Sequence, residues 1–294
     1  MTTLPSPKGS AADWLVDRAL RGLIGTALRL PYARRVPFMG AALRRAIGPI
    51  AGYRRRAEAN LAMIYPDMPV DVRRQTADGV CDNFGRTLIE NYSWAEFGHR
   101  LAATTPTGDG LGAVAQAKAD GRPVIFVTGH FGNHEAPRHI LTRMGYNIGG
   151  LYRPMTNAYF NAHYAPTMTA WGGPVFEQGR RGTMGFARHL KSGGMGTLLF
   201  DVANKKGLPI TFMGKPANTA TSAADLAIKL DALVVPYFGT RRADGLTFDV
   251  DVQSPIAHAA PAQMMQTMTD RLTDKVTDHP DQWFWVHRRW KNAP

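Results

Sequence analysis

Val124-Ile125-Phe126-Val127-Thr128-Gly129-His130-Phe131-Gly132-Asn133-His134-Glu135 is the stretch that decides how this chain folds. Its first five residues are apolar or β-branched, too few for a buried helix, and a glycine closes them. They predict a strand buried on both faces. Two runs of the same character follow, Gly196-Thr197-Leu198-Leu199-Phe200 and Leu233-Val234-Val235-Pro236-Tyr237-Phe238, with helical patterns over 156–171, 182–192 and 220–231 among them. Strands alternating with helices predict an α/β fold, a sheet with helical layers on both faces. Leu246 to Val252 alternates as a half-exposed strand, and a last helix from Pro261 turns Met265, Met268, Leu272 and Val276 toward the core.

Toward the N-terminus the period is helical, over 11–30, 36–48, 51–64 and 69–95. Residues 1–100 therefore read as a helical part and 101–294 as the α/β core. No repeat, low-complexity tract or linker separates the two, so they are expected to pack as one unit. The chain has 294 residues, 44% of them hydrophobic, enough for a core. Its single cysteine, Cys81, excludes a disulfide framework and a thiolate-rich metal site. No run of about 20 apolar residues predicts a transmembrane helix. Asp13, Asp17, Arg18 and Arg21 break the apolar stretch near the start, which does not read as a secretory signal.

Charge is unevenly spread. Of the net +12, residues 1–57 hold nine charges: Lys8 and ten arginines against Asp13 and Asp17. Such a concentration implies an anionic partner, nucleic acid or an acidic bilayer. On a helical projection Val16, Leu20, Leu23, Ile24, Ala27, Leu28 and Leu30 fall in one arc and Arg18, Arg21 and Arg29 opposite. This amphipathic helix could lie in a membrane interface or pack on the protein's own core with its basic face in water. Near the C-terminus Trp283, Phe284, Trp285, His287, Arg288, Arg289, Trp290 and Lys291 interleave rings with cations, a composition suited to lipid headgroups or to stacking on single-stranded nucleic acid. No nucleic-acid-binding motif accompanies the charge.

The candidate chemistry lies where the first strand ends, since α/β sheets bind ligands at their strand ends. A carboxylate that fixes one tautomer of His130 leaves its other ring nitrogen as a base, and Glu135, five positions on, could supply it. The competing readings are a histidine that only caps the following helix and a metal ligand. His130 and His134 stand four apart, but the glutamate is not placed as in HExxH and no third ligand is evident, so no metal is expected. Neither GxGxxG nor GxxxxGK[ST] occurs, and no cofactor is expected.

His130 and Glu135 form an H-x4-(D/E) signature, and with their flanks they resemble the late acyltransferases of lipid A assembly, the lauroyl/myristoyl group of the glycerolipid acyltransferases. Leu151-Tyr152-Arg153-Pro154 with Asn157, Thr197-Leu198-Leu199-Phe200-Asp201, Thr219-Ala220-Thr221 with Leu233-Val234-Val235-Pro236, and His279-Pro280-Asp281-Gln282-Trp283-Phe284-Trp285-Val286-His287-Arg288-Arg289-Trp290-Lys291 resemble that group's further blocks, in its order. The resemblance implies a glycerol-3-phosphate-acyltransferase-like mixed sheet flanked by helices, with a helical N-terminal membrane-surface segment. It implies O-acyl transfer from acyl carrier protein, or from acyl-CoA, to a hydroxyl of a lipid acceptor, a lipid A precursor. A lyso-aminolipid or lysophospholipid acceptor and a basic nucleic-acid-binding protein are the alternatives.

His130 would be the base, Glu135 would hold its ring, and Arg153, Asp201, Tyr152 and Arg181 would bind substrate. The same resemblance implies peripheral attachment to the cytoplasmic face of the bacterial inner membrane, on an anionic surface. Two features depart from the group. The N-terminal anchor is short and broken by arginines, and Asp201-Val202-Ala203-Asn204 stands where Asp-Gln-Asp is usual.

Overall fold

The computed structural model describes residues 9–170 and 172–291. Lys8 of the basic N-terminal stretch and Trp171, the end of one predicted helix, lie outside the described residues. The chain opens with α1 (Ala11–Leu28) and α2 (Tyr32–Ala42), which runs through a π-helical turn over Leu43–Ile47 into α3 (Gly48–Ile50). α4 (Tyr53–Ile64), α5 (Val70–Tyr92), α6 (Trp94–Leu101) and α7 (Gly110–Ala119) follow.

The α/β part then runs β1 (Val124–Thr128), α8 (Glu135–Arg143), β2 (Ile148–Tyr152), α9 (Ala158–Thr169), β3 (Val175–Glu177), α10 (Arg180–Lys191) and β4 (Met195–Leu199). A hairpin of β5 (Ala203–Phe212) and β6 (Lys215–Thr219) precedes α11 (Ser222–Leu230), β7 (Leu233–Arg241), β8 (Phe248–Val252) and α12 (Pro261–Asp278).

Six strands form one sheet in the order β3-β2-β4-β1-β7-β8, parallel except for β8, which pairs antiparallel with β7. β1 lies between β4 and β7, in register Phe126↔Thr197 and Phe126↔Val235, and all five of its residues are buried. A central parallel strand is covered on both faces, which is why its sequence is a continuous apolar run rather than an alternating one. The helical stripe of α12 is core: Met265, Met268, Leu272 and Val276 are buried.

The reading of the C-terminal rings is corrected. Trp283 and Trp285 are buried in contact, with ring centroids 5.0 Å apart, and Trp290 stacks on Phe212 at 5.6 Å. Of the cations among them Arg289 is also buried and donates to the Asn218 carbonyl at 3.0 Å, while Arg288 and Lys291 stay exposed. These rings fill the core rather than face headgroups, because each large aromatic side chain gains far more from burial than from an interface.

α1 turns Ile24 and Ala27 inward, the second of its two expected arrangements, while Trp14, Leu15, Val16 and Leu28 stay exposed. Its basic face is partly spent. Asp17 is fully buried and accepts from Arg18, Arg21 and His163 of α9, since a buried carboxylate must be paired.

Candidate active site

Parallel order brings the ends of β2, β4 and β1 to one edge of the sheet, so Arg153, Asp201 and His130, which follow those strands, share that edge. Gly129 makes the approach possible. A Cβ there would lie 2.7 Å from Leu272 and 3.0 Å from the Asp201 carboxylate. The Asp201 side chain meets His130 twice: Oδ2 accepts the His130 backbone N–H at 2.7 Å and Oδ1 lies 2.8 Å from Nδ1. The indole N–H of Trp283 donates to Oδ2 at 2.9 Å.

Asp201 is 1% exposed. Burial would raise its pKa, but attraction to the His130 ring, the hydrogen bonds from that ring and amide, and the field of His287 hold the carboxyl well below the usual carboxylate range. An ionised carboxylate only accepts, so Nδ1 carries a ring proton, and in the neutral ring the lone pair is on Nε2. Nε2 has no hydrogen-bond partner among the described residues, and the side chain is 30% exposed. A tautomerically fixed imidazole whose second nitrogen is unpaired has the geometry a general base needs.

Two more rings surround it, His287 at 4.6 Å and His134 at 5.7 Å between centroids. Burial pushes His134 down to about 4 and His287 to about 3, and pushes His139 on α8 to about 4. All three are neutral at pH 7, and each must charge when the chain unfolds in acid. Their folded values lie below the unfolded 6.5, so stability is full above that pH and falls as pH drops through 6.5 toward 4. Thermal unfolding followed from pH 7.5 to about 4.5 should show the midpoint falling steadily. A flat profile would mean that these rings are not held neutral.

The turn carrying His130 is clamped from three sides. Gly132 adopts φ +54°, and a Cβ there would sit 1.9 Å from the Gly239 carbonyl. Its N–H donates to Gln282 O at 2.9 Å, and its carbonyl accepts from Asn83 at 3.0 Å and Thr87 at 3.1 Å. Asn133 donates to Glu90 at 2.8 Å, and Arg241 donates to the same carboxylate. Asn83, Thr87, Glu90 and Arg241 carried no sequence signal, because their roles depend on α5 and β7 meeting behind this turn.

Glu135 does not hold His130. Its carboxylate accepts from Arg138 at 3.0 Å, and Arg138 in turn donates to the carbonyls of Ile148, Met168 and Gly172. The positive φ of Gly132 turns the chain before α8 begins, so Glu135 faces the residue three positions on, one helical turn ahead, and no hydrogen bond joins it to His130 among the described residues. Asp201, expected to bind substrate, supplies the carboxylate instead.

Of the other expected residues, Arg153 is exposed and has no acidic partner among the described residues, and Arg181 is exposed on the first turn of α10. The Tyr152 hydroxyl donates to Glu177 on the neighbouring β3 at 3.2 Å.

The sequence profile described as "Bacterial lipid A biosynthesis acyltransferase" matches residues 10–292. A Haemophilus influenzae protein named "Lipid A biosynthesis acyltransferase" is 23% identical over 236 residues, covering 79% of this chain and 74% of that protein. With nearly the whole chain matched, the protein belongs to the bacterial lipid A biosynthesis acyltransferase family and is an acyltransferase.

Proposed function

We propose that the protein moves a fatty acyl chain from an acyl thioester, carried by acyl carrier protein, to a hydroxyl of a lipid A precursor. The Asp201–His130 pair carries this reading, because it leaves one imidazole nitrogen free to take a proton. As the acceptor oxygen attacks the thioester carbonyl, its proton passes to Nε2, and Asp201 stabilises the imidazolium so formed. The tetrahedral intermediate then collapses. The C–S bond breaks, the sulfur leaves with the proton held by His130, and an ester and a free thiol result. No acyl-enzyme is needed.

Arg153 binds a phosphate of the acceptor in this reading, with Tyr152 and Arg181 beside it. Its exposure, with no carboxylate partner among the described residues, supports that role, since guanidinium pairs bidentately with phosphate. Arg153→Ala should raise KM for a phosphorylated acceptor by about 10- to 100-fold with little change in kcat, the loss of one charge-assisted contact. Equal KM values with and without Arg153 would remove it from the site.

Attachment is peripheral, at the cytoplasmic face of the inner membrane, on a core of the glycerol-3-phosphate-acyltransferase type. No helix among the described residues is long and apolar enough to cross a membrane. Trp14, Leu15 and Val16, exposed on the first turns of α1, are the residues suited to an interface. Asn157, four residues after Arg153, donates to the Asp13 carbonyl at 2.8 Å, which ties that turn of α1 to the segment after β2.

The testing experiment is an in vitro assay with a panel of acceptors. Transfer to a lipid A precursor supports the reading. Transfer only to a lyso-aminolipid or lysophospholipid, which the family match does not favour, replaces it.

A further inference from the structure

The π-helical turn, α3, α4 and the first turns of α5 present an outer face with no part in the site described above. Arg45, Arg55 and Arg74 are exposed on it and have no acidic partner among the described residues, whereas Arg54 is held by Asp78 at 2.6 Å. Between these cations Ile50 is 87% exposed at the turn from α3 to α4, and Val70 is exposed at the start of α5. Pro49, Ile50, Gly52, Arg55 and Glu58 line a hollow in this face.

The inner side of α4 reaches the active site. Asn60 donates to the carbonyls of Trp285 at 2.7 Å and His287 at 2.9 Å, and Arg56 donates to that of Val286. The helix that carries the basic face thus holds the segment that sets His287 4.6 Å from His130. The opposite end of α5 serves other contacts. Tyr92, its last residue, bonds His163, which bonds Asp17 of α1. α5 has 23 residues, about 34 Å at 1.5 Å each, so the exposed Trp14 turn and the basic face lie toward different ends of it.

We propose that this face docks the acidic protein that carries the acyl thioester, so that donor and lipid acceptor approach His130 from different sides. The inference rests on the carrier-protein reading of the donor given above. Cations spread over the π-helical turn, α4 and α5, with the apolar side chains of Ile50 and Val70 between them, match the surface of an acidic protein better than the few phosphates of coenzyme A. They act chiefly on encounter and orientation.

The test uses the full-length triple variant Arg45→Glu/Arg55→Glu/Arg74→Glu with lauroyl-acyl carrier protein and lauroyl-CoA as donors, alongside the affinity of fluorescently labelled acyl carrier protein. The expected result is a rise of about tenfold or more in KM and Kd for the carrier protein, with kcat and the lauroyl-CoA reaction changed by less than about twofold. Added salt should weaken carrier use by wild type more than by the variant.

Unchanged carrier affinity overturns the proposal, as does an equal loss with both donors. Loss of binding to phosphatidylglycerol vesicles with carrier affinity intact assigns the face to the bilayer and overturns it too. Wild type that uses lauroyl-CoA but not the carrier protein removes the docking partner while leaving acyl transfer standing. Wild type inactive with both donors on a lipid A precursor refutes the donor and acceptor proposed above, and the docking partner with them.

Discussion

His130→Ala is expected to lower kcat for acyl transfer by about 10²–10⁴, the usual contribution of a positioned general base. The fold should survive. Asp201 keeps its bonds from the backbone N–H of residue 130 and from Trp283, so its buried charge is not abandoned when the ring is removed. The ring itself is partly exposed and fills no core position. KM for either substrate should change little, since the lost interaction forms only as the proton moves. Assay of the purified variant, with thermal unfolding to confirm its fold, checks this, and wild-type turnover would refute the assignment.

The second large effect is expected at Asp201. Its Oδ2 accepts two N–H groups, from the His130 backbone and from the Trp283 indole, and Oδ1 faces Nδ1. In Asp201→Asn the carbonyl oxygen must stay with the two N–H donors, which turns the amide NH2 toward Nδ1. Nδ1 must then accept, the ring proton shifts to Nε2, and the base is blocked. The expected loss in kcat is about 10²–10⁴ with a nearly unchanged fold, the same logic as an amide substitution in a hydrolase triad.

Glu135→Gln is the matched control. Removing the counter-charge of buried Arg138 should cost about 3 kcal/mol of stability, while kcat of the folded fraction stays within about tenfold of wild type. The opposite pattern, with Glu135→Gln inactive and Asp201→Asn active, would assign the ring to Glu135.

How much of this was legible in the sequence depended on whether the signal was local. β1, β4 and β7 announce themselves as apolar runs because both their faces are covered. β2 does not, because Gly149 and Gly150 interrupt it, the first where the His189 ring of α10 lies 3.0 Å from the position a Cβ would take. β3 is three residues long, too short for any period.

His130 was visible from its place at a strand end. Its partner was not, since Asp201 lies 71 positions away and meets it only because β1 and β4 are adjacent. Glu135 looked closer than it is, because distance along a turn with a positive φ says little about distance in space. The C-terminal rings misled for a related reason. Alternation of Trp and Arg matches an interface in composition, yet Arg289 is hydrogen-bonded inside to carbonyl and hydroxyl oxygens of β6, which no local pattern reveals.

The most direct measurement is nitrogen-resolved NMR of the His130 ring in wild type near neutral pH. A proton on Nδ1 and none on Nε2, with the two exchanged in Asp201→Asn and unchanged in Glu135→Gln, is the predicted result. A wild-type ring protonated on Nε2 alone, or one whose tautomer follows Glu135 instead, would contradict it.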